Sequence, residues 1–213
     1  MTNTNKAKTI NSIGIDFDNT IVYYDDVFYN LAFNKGWIKK NRKLSKNEIR
    51  DFIHKSNNGI EKWKVLQSMV YSSLISNAPP MPEVFKFIKI CNDFDISVHI
   101  VSHKTKYAEI NTNGNNLRKK ALEWIYTHKA KFRVNLPDSS INFMDTREDK
   151  IKFIKKLKFD YFIDDLEEVL CHPIFPKGVR KILINGNKIR TYKNCSLVEK
   201  KNWSEIKDYI FGR

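Results

Sequence analysis

The residues that most clearly suggest chemistry are two aspartates near the start of the chain. Asp16 and Asp18 stand one residue apart at the end of the apolar run SIGIDFD (12–18), and Thr20 follows just beyond. Carboxylates this close repel each other, and each loses solvation where it is partly buried. The pair therefore predicts that a positive charge from outside this stretch completes a site here.

Four further apolar runs follow along the chain, and most of the segments between the runs have helical spacing. The runs are ISVHIVS (96–102), SINFMD (140–145), FDYFIDD (159–165) and VRKILIN (179–185). Strands that alternate with helices predict an α/β fold, with a mainly parallel sheet covered on both faces in three Rossmann-like layers. Asn185-Gly186 after the last run is a hairpin signal.

The interval between the first and second runs is too long for one crossover helix. It spans 19–95, with helix-like segments around 27–35, 45–55 and 60–76 and then the break NAPPMP. We therefore predict a small helical insertion at 25–80 in a core formed by 1–24 and 81–213. Aromatic residues are frequent just after the aspartates, and we interpret most of them as packing residues.

Several of the predicted strands deliver polar residues to the same edge of the sheet. Ser102, Asp145, Asp164 and Asp165 each stand at the end of a run, as Asp16 does. In open α/β sheets, ligands bind beyond the carboxyl ends of the strands. Several hard oxygen ligands without a matching cysteine or histidine set favour Mg²⁺, which would supply the missing positive charge. For Asp145 itself we favour a helix-capping role.

The motifs resemble those of the haloacid dehalogenase (HAD) superfamily, in the same order. They are DFDNT at 16–20, Ser102 after a hydrophobic strand, a downstream lysine, and the pair Asp164 and Asp165 after another strand. The resemblance extends from residue 12 to about residue 185. It implies the Rossmann-like HAD core, and it makes the insertion at 25–80 a cap of the C1 type.

The resemblance also implies roles for individual residues. Asp16 would be the nucleophile that forms an aspartyl-phosphate, and Asp18 the general acid and base. In this family an acid at the second position is associated with phosphatases and phosphomutases. Mg²⁺ would be held by Asp16, the backbone carbonyl of Asp18, Asp164 and, through water, Asp165. The resemblance makes Ser102 and the downstream lysine phosphate-binding residues, with Lys150 as the preferred lysine. We add Asn19, Thr20 and His103 as candidates, although a loop histidine without a role is the favoured interpretation of His103.

The identity of the basic residue beside the nucleophile is the least direct of these assignments. Lys150, Lys152, Arg147 and, less favourably, Lys104 are the candidates. A helix that leads into a parallel strand starts at the carboxyl edge of the sheet. We prefer Lys150 because it stands at the start of the helix that precedes FDYFIDD, whereas later lysines lie farther from that edge.

Together these features predict a Mg²⁺-dependent phosphomonoesterase that acts on a small phosphorylated metabolite. A sugar, polyol, amino-alcohol or nucleoside phosphate would suit a C1-type cap. Three alternatives stay open at this point: a phosphatase of polynucleotide ends, a phosphomutase, and a non-catalytic binding module with the same fold. The last is disfavoured because all the chemical positions carry suitable residues.

The composition of the chain indicates which classes of partner are disfavoured and in which cell compartment we expect the protein. The chain of 213 residues has a net charge of +14, but its lysines are scattered, which disfavours a specific nucleic-acid partner. No apolar stretch is long enough to cross a membrane, and the amino-terminal residues are polar. The three cysteines, Cys91, Cys171 and Cys195, have unrelated spacings and predict reduced thiols in a cytoplasmic protein.

Overall fold

A computed structural model describes residues 9–39, 44–110, 114–184 and 194–212. In this part of the chain, six strands form one sheet in the order β3-β2-β1-β4-β5-β6, and every pair of neighbours is parallel. The strands are β1 (Ser12–Ile15), β2 (Ser97–His103), β3 (Ile141–Met144), β4 (Tyr161–Asp164), β5 (Arg180–Ile184) and β6 (Val198–Lys200). The α/β prediction is confirmed, and β6 is a strand that the sequence did not predict.

Eight α-helices surround this sheet in the described residues. They are α1 (Asp25–Asn34), α2 (Lys46–His54), α3 (Gly59–Val70), α4 (Val84–Asp93), α5 (Leu117–Phe132), α6 (Arg147–Leu157), α7 (Glu167–Leu170) and α8 (Trp203–Phe211). Short 3-10 turns occupy Ile75–Asn77 and Asp138–Ser140. Polar caps explain several of the helix starts, since Ser45 and Glu48 form a capping box on α2 and Thr146 caps α6.

The sheet buries both of its faces, which explains why its strands are apolar almost throughout. Tyr161 and Ile163 pack into one hydrophobic cluster, whereas Phe162, between them, packs into a second cluster with α6 and α7. Gly14 on β1 is required by this packing, because a Cβ there would lie 2.5 Å from the Phe162 ring. The result is the three-layer arrangement expected for a parallel sheet.

The segment predicted as a cap consists of α1, α2, α3 and the first 3-10 turn. Its buried side chains, including Phe28, Trp63 and Leu66, belong to the same hydrophobic cluster as Ile13 and Ile15 of β1. The helical character of 25–80 therefore agrees with the sequence pattern. The division of the chain into a core and a separate cap stays a prediction.

The cysteine prediction was wrong for two of the three residues. Cys171 and Cys195 form a disulfide, with their Cα atoms 5.5 Å apart, whereas Cys91 is a buried free thiol. Twenty-four positions separate the paired cysteines in sequence. The fold brings them together because Cys171 follows α7 beside β5, and Cys195 precedes β6, the strand that pairs with β5. An odd cysteine count therefore did not exclude one disulfide.

Two other sequence predictions concern membrane-spanning segments and a hairpin after the last apolar run. No helix in the described ranges is both long and apolar enough to span a membrane. The hairpin signal at Asn185-Gly186 lies outside the residues that the structure describes.

Candidate active site

The strand register brings the first and fourth motifs together at the carboxyl edge of the sheet. Ile15 of β1 is paired with Ile163 of β4, so Asp16 and Asp164 follow side by side. On its other side β1 pairs with β2, which carries Ser102. After β1 the chain forms β2 and β3 on one side of that strand, and it then crosses to the other side to form β4, β5 and β6. The carboxylates therefore stand at the topological switch point, where open α/β sheets bind ligands.

Lys150 joins these two aspartates. Its Nζ donates hydrogen bonds of 2.6 Å to Asp16 Oδ1 and 2.6 Å to Asp164 Oδ2, and all three side chains are buried. Burial alone lowers the pKa of Lys150, but the two carboxylates raise it by more, so the ammonium stays charged. The geometry favours Lys150 among the four basic candidates, because it contacts Asp16, the predicted nucleophile, directly.

The two oxygens of Asp16 have different surroundings. Oδ1 accepts hydrogen bonds from Lys150 and from Ser102 Oγ at 2.8 Å. Oδ2 has only a 3.5 Å contact with Thr20 Oγ1. Asp16 is therefore fixed through one oxygen, while the other is less engaged by the protein.

Asp18 lines the same cavity as Asp16, but its side chain has different partners. Its Oδ1 accepts a 2.7 Å hydrogen bond from the Tyr24 hydroxyl, and its Oδ2 lies 2.8 Å from Lys104 Nζ. Burial and the charge of Asp18 raise the pKa of Tyr24, so its phenol remains a donor. Two donors from different elements thus hold the Asp18 carboxylate in one orientation.

The acidic residues fit a divalent cation. Asp16, Asp164 and Asp165 each offer an oxygen within 4.8 Å of the others. Lys150 compensates one of their three charges, and the two that remain match one Mg²⁺ ion. Burial, followed by the charges of its acidic neighbours, raises the pKa of Asp165. Because all the donors are oxygens, the set suits Mg²⁺ better than a softer metal.

The raised pKa values of Asp164 and Asp165 predict how the stabilisation of the protein by added Mg²⁺ would change with pH. Because burial raises the pKa values of Asp164 and Asp165, these groups retain protons in the folded, metal-free state above the usual carboxyl range near ~4. Their ionisation as the pH rises removes stability from the metal-free fold. We expect the increase in Tm caused by Mg²⁺ to be larger at about pH 8 than at about pH 5, because fewer protons then compete with the metal.

Differential scanning fluorimetry across that pH range measures the effect directly. Na⁺ at equal ionic strength is the control for general screening. A Tm increase that is independent of pH would contradict the coupling between the carboxyl protons and the metal.

The remaining predicted residues have more varied positions. Asn19, with a positive φ of 59°, donates from Nδ2 to Asp165 Oδ2 at 3.3 Å. His103 lines the cavity, and burial lowers its pKa. The capping role favoured for Asp145 was wrong, because Thr146 caps α6 and Asp145 pairs with Arg118 at 2.5 Å. The carboxylate of Asp145 therefore faces α5.

Two basic candidates lie away from the aspartate cluster. Arg147 lines the cavity but pairs with Glu168 at 2.6 Å. Lys152 is exposed and lies 3.9 Å from Asp149 on its own helix. Neither contacts Asp16 or Asp164 in the described structure, so both differ from Lys150 in their surroundings.

Sequence reasoning undervalued Lys104 and Tyr24. Lys104 was considered only as a partner for the nucleophile, and Tyr24 is one of the aromatic residues after the aspartates, most of which were interpreted as packing residues. A signal for Lys104 was present, because it stands two positions after Ser102 at the same strand end. Nothing comparable marked Tyr24, since a tyrosine in an apolar stretch is also an ordinary core residue.

Comparison with known proteins links this geometry to one fold. No family model matches the chain, and no curated protein matches it. Among solved structures, a protein from Bacillus subtilis described as a HAD-hydrolase bound to magnesium is 11% identical, with a TM-score of 0.57 over 97% of this chain and 100% of that one. A HAD-superfamily hydrolase from Ehrlichia chaffeensis is 14% identical, with a TM-score of 0.54 over 95% and 97%. A dehalogenase is 10% identical, with a TM-score of 0.53 over 97% and 99%.

The fold is therefore that of the HAD-superfamily hydrolases, as the sequence motifs suggested. The similarity covers nearly the whole chain, which includes the segment between β1 and α4. At identities this low the similarity concerns the fold. The chemistry has to be argued from this chain's own residues.

Proposed function

We propose that this chain is a HAD-type phosphatase, a Mg²⁺-dependent phosphomonoesterase that forms an aspartyl-phosphate. The observation that carries the proposal is the presence of two differently held carboxylates in one cavity. Asp16 is hydrogen-bonded by Lys150 and Ser102, whereas Asp18 is held by Lys104 and Tyr24. Two carboxylates with separate partners suit two separate roles, one as nucleophile and one as acid and base.

The first step transfers the phosphoryl group to the protein. We assign the attack on phosphorus to Asp16 Oδ2, because Oδ1 already accepts two hydrogen bonds. The bond between phosphorus and the ester oxygen breaks, and Asp18 gives that oxygen a proton. Lys150 and Ser102 are the fixed donors beside the reacting group, where negative charge develops.

The second step returns the protein to its starting state. Asp18, now without its proton, takes a proton from water, and the oxygen of that water attacks the phosphorus of the aspartyl-phosphate. The acyl phosphate bond breaks, inorganic phosphate leaves, and Asp16 is a free carboxylate again. Tyr24 and Lys104 keep Asp18 oriented through both steps, as their contacts with its two oxygens suggest.

Asp16, Asp164 and Asp165 would hold Mg²⁺, together with the backbone carbonyl of Asp18. When bound, the ion would supply positive charge to the phosphoryl oxygens. Asn19 contacts Asp165 and would orient that carboxylate. We assign Thr20 to the phosphate-binding surroundings, and we keep His103 as a candidate there because it lines the cavity.

The acid at position 18 supports a phosphatase over a dehalogenase, since the HAD resemblance associates it with phosphoryl transfer. The cavity of about 1350 Å³ has room for a small phosphorylated metabolite. Residues on α2 and α3 line the same cavity as Asp16, which supports a cap role for 25–80. We propose no nucleic-acid or membrane partner.

Phosphate release from p-nitrophenyl phosphate, measured with and without Mg²⁺, tests the proposal. We expect activity with Mg²⁺, loss of activity after exhaustive chelation, and recovery when the ion is returned. Hydrolysis that continues at the same rate in the chelated protein would reject this mechanism.

A further prediction separates the role of Asp18 from that of Asp16. Asp18→Asn should slow an alkyl phosphate, whose leaving group needs a proton, more than p-nitrophenyl phosphate, whose phenolate leaves unaided. General acid catalysis is worth roughly 10²–10⁴-fold where that proton is required. Pre-steady-state measurement of p-nitrophenolate and alcohol release isolates the first step. Equal losses for the two esters in that step would contradict the acid role.

We keep the cytoplasm as the proposed location, on the composition of the chain. The disulfide between Cys171 and Cys195 would make the protein an exception among cytosolic proteins, whose thiols are usually reduced.

A further inference from the structure

The basic residues that line the large cavity are almost all matched by carboxylates. Five of them have an ionic partner at 4.0 Å or less. These pairs are Arg50 with Asp51, Lys64 with Glu109, Lys104 with Asp18, Arg147 with Glu168, and Lys150 with Asp16 and Asp164. The sixth is Lys46, which pairs with no carboxylate among the residues that the structure describes.

Lys46 lies at the start of α2 and is surrounded by aromatic rings. Its Nζ is 5.6 Å from the centre of the Phe28 ring and 5.4 Å from that of the Tyr71 ring. The nearby carboxylate of Asp25 accepts its hydrogen bond from the backbone amide of Lys46. The rings of Phe28 and Tyr71 are therefore described neighbours of the ammonium group.

This environment leaves the ammonium of Lys46 without a direct ion pair among the described residues. Burial lowers the pKa of Lys46, but Tyr71 and the charges of Asp165 and Asp18 raise it by more, so the side chain stays cationic. Removing an ammonium from water without an ionic partner is costly. The rings recover part of that cost by cation–π attraction. A bound anion would recover more.

The acidic residues that attract Lys46 from a distance have other partners. Asp18 is paired with Lys104 at 2.8 Å, and Asp165 belongs to the acidic group that fits Mg²⁺. With that ion bound, the negative charge that Lys46 experiences from the sheet edge falls. Lys46 would then be the cation of this cavity that lacks an ionic partner among the described residues.

We propose that Lys46 determines substrate specificity by binding a second anionic group, so that the substrate is a phosphate monoester whose leaving group carries a carboxylate or another phosphate. The inference rests on the proposed phosphatase function and narrows it. The scissile phosphoryl group lies at Asp16, and the second anion lies under α2 beside Tyr71. A neutral polyol phosphate offers Lys46 no such partner.

Two pairs of matched esters test this specificity. 3-Phosphoglycerate and glycerol 3-phosphate differ by a carboxylate in place of a hydroxymethyl group, and fructose 1,6-bisphosphate and fructose 6-phosphate differ by one phosphate. In the wild-type protein we expect the more anionic member of at least one pair to have a kcat/KM higher by about tenfold or more, the scale of a charge-assisted hydrogen bond. The pair that shows the preference identifies the anion.

Variants at position 46 connect that preference to the side chain. Lys46→Met keeps the length and the contact with the rings but removes the charge, so it should abolish the preference, with the loss mainly in KM. Lys46→Arg should keep most of the preference. Lys55→Gln, at the other end of α2 and exposed, makes the same charge change outside the cavity and should behave as wild type.

Binding and stability measurements distinguish this inference from the proposed function. Calorimetric titration of the same esters into Asp16→Asn, with and without Lys46→Met, tests anion binding without turnover. A wild-type protein with no preference in either pair, or a preference that survives in Lys46→Met, overturns the inference. If no ester is hydrolysed at all, the phosphatase proposal fails, and the titration still decides the role of Lys46.

Thermal unfolding excludes a purely structural explanation. Lys46→Met should lower Tm only slightly, because it removes cation–π contacts and distant charge attractions but no direct ion pair. A large decrease in Tm, found also for Lys46→Gln, would show that Lys46 supports the fold, and would overturn its assignment to substrate binding.

Discussion

Asp16→Asn is expected to abolish turnover of every phosphate ester, with a decrease in kcat of about 10⁴-fold or more. The amide has no anionic oxygen to attack phosphorus, so the aspartyl-phosphate does not form. The fold should survive, because Asn can still accept the hydrogen bonds that Ser102 and Lys150 donate to Asp16 Oδ1. Steady-state phosphate release, with Tm as a check on folding, measures both effects.

The control for this variant is Asp145→Asn. Asp145 also stands at the end of a strand, but its exposed carboxylate pairs with Arg118 and lies outside the acidic group. Activity close to wild type is expected there. If Asp16→Asn were to keep substantial turnover while folded, the covalent step would be ruled out, and another nucleophile such as water would be required.

Lys150→Ala should also decrease kcat strongly, on the order of 10²-fold or more. The ammonium is 2.6 Å from both Asp16 and Asp164, and the substrate adds further negative charge at the same place. The fold should also be weakened, since removing one partner of a buried ionic group costs about 3–5 kcal/mol. Kinetic comparison at a temperature well below the Tm of the variant separates the two effects.

Two substitutions complete this test. Lys152→Ala removes an exposed lysine from the same helix and should leave kcat near wild type, since Lys152 lies beside Asp149 and outside the cavity. Lys150→Arg should recover activity only in part, because a planar guanidinium does not reproduce a compact ammonium between two carboxylates. Full activity in Lys150→Ala would refute the electrostatic role assigned to this side chain.

The disulfide and the sixth strand show what sequence patterns do not convey. Cys171 and Cys195 have no spacing motif, and they meet only because β6 adds to the sheet beside β5. The three residues of β6 are too few to give an alternating pattern of their own. Such pairings depend on which strand forms the edge of the sheet. Contacts between distant parts of the chain determine that strand.

The main elements of the site were determined by the sequence. Apolar runs of strand length end at or near Asp16, Ser102 and Asp164. Because parallel strands align their carboxyl ends, these runs predict that the three side chains meet at one edge of the sheet. Helical spacing after Thr146 likewise put Lys150 in the first turns of α6, near that edge. These features follow from local periodicity, and local periodicity can be read from a single chain.

Tertiary structure decided which charges face each other. The packing of α1, α2 and α3 over the sheet determines that Lys104 and Tyr24 hold Asp18. It also places Lys46 among aromatic rings, with no ion pair to a carboxylate in the described part of the chain. A lysine in the sequence has the same charge wherever it stands. Its partner is fixed only by the packing of side chains from segments far apart, because electrostatic attraction depends on distance and burial in the folded protein.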